Sequence, residues 1–117
     1  MSLDENSIRA WAKNWRRPRG NGRGRGVRRQ ELNKTKSEIS TEILVSFAKK
    51  AIIRFPDLNF EDCTSPDYAS VDRIDPLGGY ELSNIEVVPM WFNAAKMQMS
   101  ESELFERIKK IYERLIK

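Results

Sequence analysis

The sequence predicts an α+β fold in which a two-stranded hairpin lies between helices. Residues 37–55 and 100–116 carry apolar side chains at three- and four-residue spacing, the pattern of amphipathic helices. Between them, two short apolar segments are separated by a loop that contains glycine, which is the pattern of two paired strands. At 117 residues the chain has room for one domain plus a tail, with a core that needs no disulfide.

The composition excludes several kinds of site. The chain has no histidine and one cysteine, Cys63, so it can form neither an intramolecular disulfide nor a structural zinc site of the usual nitrogen and sulfur type. A metal ion must then be held by oxygen atoms. No apolar segment approaches the roughly 20 residues of a membrane span, and the N-terminus lacks the order of a signal peptide. We expect a cytoplasmic protein with no membrane partner.

The positive charge is concentrated near the N-terminus. Residues 9–36 contain 11 Lys and Arg against one acid, while the remainder contains 10 basic and 16 acidic residues, so the segment carries +10 and the remainder −6. Arginines alternate with four glycines in residues 19–26, and such a segment buries too little apolar surface to fold alone. Residues 1–36 are therefore predicted to form a flexible basic arm, and residues 37–117 the folded domain.

Two interpretations of this arm remain open. It is either a solubilising tail or an arm that neutralises the phosphates of a nucleic acid. Trp11 and Trp15 favour the second, since they lie four residues apart and would share one face of a short helix, packed on the domain or stacked on bases. The residues expected to contact nucleic acid are Arg16, Arg17, Arg19, Arg23, Arg25, Arg28 and Arg29.

The first predicted helix of the domain begins after Ser37 as its N-cap and ends before Pro56. Its apolar stripe is expected to lie in the core. Little regular structure is expected from there to Asp67, apart from a short extended segment near Phe60.

A hairpin and a helix follow. Ala69 to Ile74 and Ile85 to Val88 are predicted as strands joined by a loop of about ten residues, which is longer than a tight hairpin connection and so is expected to have a function. Residues 90–99 after Pro89 have a helical composition. The predicted order is strand, loop, strand, helix.

The C-terminal helix begins at Ser100 and Glu103, which have the spacing of a capping box. Its wide apolar stripe is expected to be part of the core, and a dimer interface is the alternative. The chain is thus predicted to be a monomer, or a homodimer through this helix. The stripe comprises Leu104, Phe105, Ile108, Ile111, Tyr112, Leu115 and Ile116.

The hairpin and its helix carry acidic, amide and basic side chains of the kinds that phosphodiester hydrolysis requires. Hydrolysis with one divalent cation requires oxygen ligands for the metal, a base for the attacking water and a group that stabilises negative charge. Asp72 on the first strand and Asn93 on the helix would face each other and reach one Mg²⁺ or Mn²⁺. Lys96, one turn further along the helix, would reach the phosphate or the leaving oxygen.

The segment from about Cys63 to Leu104 resembles the HNH (ββα-metal) endonucleases, particularly those of phages and mobile elements. The resemblance implies a ββα-metal unit with a divalent cation and DNA endonuclease or nickase activity. DNA is thus the expected partner, with RNA as the alternative. The matching residues are Ser70-Val71-Asp72-Arg73-Ile74-Asp75, Gly79-Tyr80, Asn84, and Asn93 with Lys96.

The resemblance also implies a role for individual residues. Asp72 and Asn93 would be the metal ligands, Asn84 would tie the loop by hydrogen bonds, and Gly78 with Gly79 would form the sharp turn.

Arg73 stands where better-known members of that family have the general-base histidine. A guanidinium stays protonated in proteins, so Arg73 cannot accept a proton from water, although it can bind a phosphate through two hydrogen bonds. Three interpretations remain open. A carboxylate, Asp75 or Asp67, acts as base or positions a metal-bound water; or the fold binds DNA or RNA without cleavage, as a regulatory module; or Asp72 and Arg73 form a structural ion pair.

Overall fold

The computed structural model describes residues 4–16, 36, 38–75, 77–97 and 99–116. Within these ranges it contains four α-helices and one two-stranded antiparallel sheet, which confirms the α+β class. No helix in the described part of the chain has the length and apolar character that crossing a membrane requires. The elements are α1 (Glu5–Arg16), α2 (Thr41–Arg54), β1 (Ala69–Arg73), a short 3₁₀ turn (Leu82–Asn84), β2 (Ile85–Pro89), α3 (Met90–Lys96) and α4 (Glu101–Ile116).

Helix α1 lies inside the segment predicted as the basic arm, and it packs on the domain. Ile8, Trp11 and Ala12 are almost fully buried in the core that α1 forms with α2 and the hairpin. The indole Nε1 of Trp11 donates a hydrogen bond to the carbonyl of Ala69 at 3.1 Å. The folded part therefore includes residues well before the predicted boundary at 37, because the apolar spacing of α1 gives it a face that the core can cover.

Helix α2 begins later than predicted. Its N-cap is Ser40, whose Oγ accepts a hydrogen bond from the backbone N–H of Ile43 at 3.1 Å, whereas the predicted cap, Ser37, lies outside the described residues. The helix ends at Arg54, two residues before Pro56, because a proline disfavours the helical conformation of the residue before it. Its buried residues are Leu44, Val45, Ala48 and Ala51.

The hairpin separates two apolar clusters because side chains alternate across a strand. The register runs from Ala69 opposite Pro89 to Arg73 opposite Ile85. One face, with Ala69, Val71, Ile85 and Val87, belongs to the core with α1 and α2. The other face carries Ser70, Asp72, Glu86 and Val88, and α3 packs there, with Val88, Phe92 and Leu104 as a second cluster.

Helix α3 is shorter than the predicted 90–99. It ends at Lys96, because Met97 takes a left-handed conformation with φ of 50° while its N–H still bonds to the carbonyl of Asn93. A non-glycine residue with positive φ carries no sequence signal, so the early end was not predictable.

Helix α4 forms as predicted, but the prediction that its stripe is core is wrong. Ser100 Oγ accepts from the backbone N–H of Glu103 at 3.1 Å, and Leu104 is the one residue of the helix that is buried. The rest of the stripe is exposed, because α4 contacts the domain at its beginning, through Leu104 and Phe105. Phe105 contacts Phe92 at a ring-centroid distance of 6.2 Å, and Arg54 pairs with Glu101.

Candidate functional site

An open cleft of about 480 Å³ lies beside β1. Three consecutive strand residues line it, and since their side chains alternate between faces, the cleft runs along the edge of the strand. The hydrogen bonds from Met90 N to Tyr68 O and from Ile74 N to Asn84 O fix which backbone groups pair with β2. By the same alternation, the N–H and C=O groups of residues 71 and 73 point away from β2, toward this edge. The lining residues are Val71, Asp72, Arg73, Tyr80, Asn93, Ala94 and Met97.

Asp72 forms a buried ion pair with Lys96. The Nζ of Lys96 donates to Oδ2 of Asp72 at 2.6 Å, and the two side chains are 3% and 7% exposed. The ammonium therefore lies against the carboxylate under α3 and is not part of the cleft lining. Lys96 was predicted to reach the phosphate or the leaving oxygen. In the structure its ammonium is bonded to Asp72 instead and does not line the cleft.

Asn93 lies on the cleft side of α3 and is held by the strand. Its Nδ2 donates to Oγ of Ser70 at 2.8 Å, across the face that β1 presents to the helix. Because this bond uses the amide nitrogen, the carboxamide oxygen is the atom of Asn93 that can bind a metal ion.

The donor set at the cleft suits the hard divalent cation that the resemblance implies. The ion pair uses Oδ2 of Asp72, so Oδ1 remains as a carboxylate donor beside the carboxamide oxygen of Asn93. Mg²⁺ keeps several waters and commonly takes only one or two protein oxygens. Within the described residues no group of three or more Cys, Asp or Glu side chains could hold a metal ion, so Asp72 with Asn93 is the set that can be tested.

Arg73 points to the other face of the hairpin and is fixed by the loop. Its Nη1 donates to the carbonyl of Gly78 at 2.9 Å, and its guanidinium lies 5.6 Å from the ring centroid of Tyr80. Tyr80 in turn meets Trp15 of α1 edge to face at 5.1 Å. Arg73 thus reaches the cleft from the side opposite to Asp72, with donors left for an anion.

Asn84 ties the loop between the strands. Its Oδ1 accepts from the N–H of Asp75 at 2.8 Å, and its Nδ2 donates to the carbonyls of Asp75 and Gly79 at 3.1 and 2.8 Å. Gly78 closes a turn with its N–H on the carbonyl of Asp75, and a Cβ at this position would lie 2.7 Å from Nδ2 of Asn84. The N–H of Gly79 donates to Glu81 at 3.0 Å.

The carboxylates considered as a base lie outside the cleft lining. Asp75 is exposed on the loop, where its Oδ1 accepts from the N–H of Leu77 at 2.9 Å. Asp67 belongs to the turn before β1, with its backbone bonded to Ser65 and Asn59. The structure thus brings Asp72, Arg73 and Asn93 together and leaves Asp75, Asp67 and Lys96 out of the cleft.

Glu86 adds a second carboxylate behind the site. It lies directly opposite Asp72 in the hairpin, so it shares the face on which Lys96 is buried. Burial raises the pKa of Glu86, and repulsion from Glu101 raises it further, against the attraction of Arg54 at 3.5 Å.

Most of the predicted nucleic-acid contacts fall outside the described residues. Arg16 ends α1, and its Nε donates to the carbonyl of Ile39. The other six arginines, at positions 17, 19, 23, 25, 28 and 29, belong to the segment of which the structure says nothing.

Three residues with roles in this site had no role in the sequence interpretation. Ser70 lies two residues before Asp72, so strand alternation alone would have placed both on one face. Glu86 could not be paired with Asp72 before the register was known. Tyr80 belonged to the matching motif, but its contact with Arg73 depends on the fold of the loop.

Comparison of the chain with protein-family models, with curated proteins and with solved structures found no match.

Proposed function

We propose that this domain is an HNH-type DNA endonuclease or nickase that uses Mg²⁺ or Mn²⁺. The observation that carries the proposal is the cleft on the edge of β1, which is lined by Asp72 and Arg73 of the strand and by Asn93 of the helix. The order of the elements around it, strand, loop, strand and helix, is the order that the resemblance implies.

Each residue of the cleft has a defined task in this proposal. Asp72 and Asn93 hold the cation through their Oδ1 atoms, while Lys96 and Ser70 fix the orientation of the two side chains. When bound, the cation supplies a Lewis acid at the phosphate and lowers the pKa of a bound water. Arg73 binds a non-bridging phosphate oxygen and stabilises the charge that develops there.

The cleft lining contains no histidine, and no carboxylate beyond Asp72, to act as a general base. Asp72 is the one carboxylate among the lining residues, and Lys96 and the cation both engage it. We therefore expect slow hydrolysis that speeds up with pH, because solvent hydroxide then takes the place of a protein base.

The test is nicking of supercoiled plasmid with Mg²⁺ or Mn²⁺ and with a chelator. Asn93→Ala removes a ligand and is expected to abolish nicking. Ser70→Ala is the graded comparison, because it removes the hydrogen bond that orients Asn93 but keeps the oxygen of Asn93, and it is expected to lower nicking less than Asn93→Ala does. Nicking by Asn93→Ala at the wild-type rate, or none by the wild type, contradicts the proposal.

A second candidate is a DNA- or RNA-binding module that does not cleave. The buried pair of Asp72 and Lys96 favours it, since Lys96 neutralises the carboxylate and Arg73 leaves the site with a net positive charge. Such a site attracts a phosphate more than a divalent cation. Retardation of DNA on a gel without nicking would support this candidate over the first. The retardation should be weaker in Arg73→Gln, and it should be weakened less in Arg73→Lys.

A further inference from the structure

We propose that Met97 contacts the substrate directly and packs its apolar side chain against the sugars and base edges of a nucleic acid bound in the cleft. The inference rests on the proposed function only in placing nucleic acid at the cleft, which the nuclease and the binding module have in common. It starts from a methionine in a backbone conformation that favours glycine.

The backbone of Met97 is strained. Its φ of 50° and ψ of −114° are those of the first central residue of a type II′ turn, a position where glycine predominates. Met97 is the one described residue other than glycine with a positive φ. Because a Cβ is disfavoured in this conformation, the domain would be more stable with glycine at this position.

The neighbours of Met97 impose this turn. Its N–H donates to the carbonyl of Asn93 at 3.1 Å, and the N–H of Met99 donates to the carbonyl of Lys96 at 2.8 Å, which closes the turn. Lys96 is buried against Asp72, and Met99 packs against the second apolar cluster. The turn is therefore fixed from both sides, and it does not require a methionine.

Packing on the domain does not offset the strain at Met97. The side chain is 76% exposed, although it is a large apolar group. Single apolar side chains are common on protein surfaces, but this one stands where glycine would serve the fold better. Strained residues cluster at functional sites, where the surrounding structure holds them in place. A contact outside the domain therefore explains the methionine better than packing does.

Met97 lies beside the proposed metal ligand Asn93. It follows Asn93 by four residues, about one helical turn, and both residues line the cleft together with Ala94. The short, exposed side chain of Ala94 leaves room for a ligand to approach the helix closely. Arg73 and Tyr80 line the same cleft from the strand and the loop. A strand bound in the cleft would thus meet Met97 next to the metal site.

These surroundings suit the mixed chemistry of a nucleic acid. Arg73 offers hydrogen-bond donors to a phosphate, whereas an apolar side chain suits the sugars and base edges. Methionine is unbranched and polarisable, so it adapts to irregular surfaces, and proteins that enter the minor groove use it among their apolar contacts. Met97 would cover the apolar part of the substrate while Arg73 holds the phosphate.

The first test measures binding of a DNA duplex by fluorescence anisotropy with a chelator present, so that neither cleavage nor the metal contributes. Met97→Ala should weaken binding at least about fivefold, since an apolar contact of this size is removed, and Met97→Leu should weaken it less. Met90→Ala is the matched control, because Met90 lies on the same helix, is 44% exposed and does not line the cleft. Equal affinity of Met97→Ala and wild type overturns the proposal.

The salt dependence of binding identifies the kind of contact. An apolar contact releases no counterions, so Met97→Ala should lower the affinity by the same factor at every salt concentration. The slope of log K against log salt should then equal that of the wild type. A flatter slope in Met97→Ala would show that the substitution disturbs phosphate contacts instead, and it contradicts the proposal.

The second test uses the strain at Met97. Met97→Gly should raise the melting temperature by a few degrees, because glycine relieves the positive φ, and it should lose as much DNA affinity as Met97→Ala. A melting temperature below that of the wild type would show that the side chain packs on the domain. Either that result or a retained affinity contradicts the proposal.

The same measurements separate this inference from the nuclease proposal. A wild type that binds DNA but never nicks it contradicts the nuclease, and the losses expected in the Met97 variants still apply. Nicking by the wild type together with equal binding by Met97→Ala overturns the role of Met97 alone. A wild type that binds no DNA overturns both.

Discussion

The ion pair between Lys96 and Asp72 is the most constrained contact of the candidate site. Both groups are removed from water, so each depends on the other for its hydrogen bonds and its charge balance. The sequence predicted both residues as parts of one site, because strand and helix periodicity place them on facing surfaces. It could not predict that they would bond to each other, because periodicity assigns a face and not a distance.

Removal of either partner should be far more costly than removal of both. We expect Lys96→Met and Asp72→Asn each to lower the free energy of unfolding by about 3–5 kcal/mol, because the remaining group is left buried without its partner. The double variant should lose clearly less than the sum. Urea denaturation measures all three, and single losses under about 1 kcal/mol would show that the pair is open to solvent.

Gly78 should tolerate no side chain while Asn84 is present. Gly78→Ala places a Cβ 2.7 Å from Nδ2 of Asn84 and must displace a side chain that bonds to Asp75 and Gly79. We expect a loss of about 1–3 kcal/mol in the free energy of unfolding. The control is the same substitution in an Asn84→Ala background, where it should cost little. An equal loss in both backgrounds would assign the effect to the backbone of Gly78.

Glu86 should make the domain more stable as the pH falls. Its pKa in the folded state lies above the ordinary value of 4.5, so the folded chain binds this proton more tightly than the unfolded chain. The resulting stability is fully present below pH 4.5 and is lost as the pH rises through the folded pKa. Glu86→Gln should flatten this part of the pH profile in thermal unfolding. An unchanged slope would contradict the assignment to Glu86.

At the scale of elements, the sequence predicted what local patterns encode. Both strands lie within one residue of their predicted ends, because β-branched segments and the loop between them are local signals. The sequence predicted a short helix with Trp11 and Trp15 on one face, packed on the domain or stacked on bases, and the structure has the packed form. The predicted domain boundary at residue 37 nevertheless left α1 out, since the strong basic composition of residues 9–36 obscured its apolar face. The exposure of α4 was not predicted, because an amphipathic stripe does not say whether its own domain covers it.

Arg54 should control the attachment of α4. Its guanidinium pairs with Glu101 and lies over the rings of Phe92 and Phe105 at 5.3 and 5.9 Å. In Arg54→Ala we expect faster amide hydrogen exchange at Leu104, with the protection of the α1 and α2 core unchanged. Lys50→Ala, an exposed substitution on the same helix, is the control. Equal protection of α4 in Arg54→Ala and wild type would show that Leu104 alone holds the helix.

For the molecule as a whole, the position of α1 decides how DNA binding by the basic segment, residues 17–35, must be tested. Truncation of residues 1–30 would remove Trp11 and its neighbours from the core, so a loss of DNA binding would not be interpretable. Replacement of the arginines between residues 17 and 29 by glutamine avoids this problem, because it leaves α1 intact.

We expect that replacement to weaken DNA binding and to flatten its salt dependence. If about six of the cations contact phosphates, log K of the wild type should fall with log salt at a slope near −5, and the slope should approach zero in the variant. Fluorescence anisotropy at several salt concentrations measures both, with the melting temperature as a check of folding. An unchanged slope would assign the basic segment to solubility.

The contacts of Trp15 also determine how the basic segment is attached. The chain leaves α1 at Arg16 and returns at Lys36, whose Nζ lies 4.5 Å from the ring centroid of Trp15, the same residue that meets Tyr80 at the cleft. Residues 17–35 are thus tethered at both ends. Closing a connection between two fixed points costs only about 0.6 kcal/mol more for each doubling of its length. Insertions between Arg16 and Lys36 should therefore hardly change stability, so the length of the basic segment can be varied without unfolding the domain.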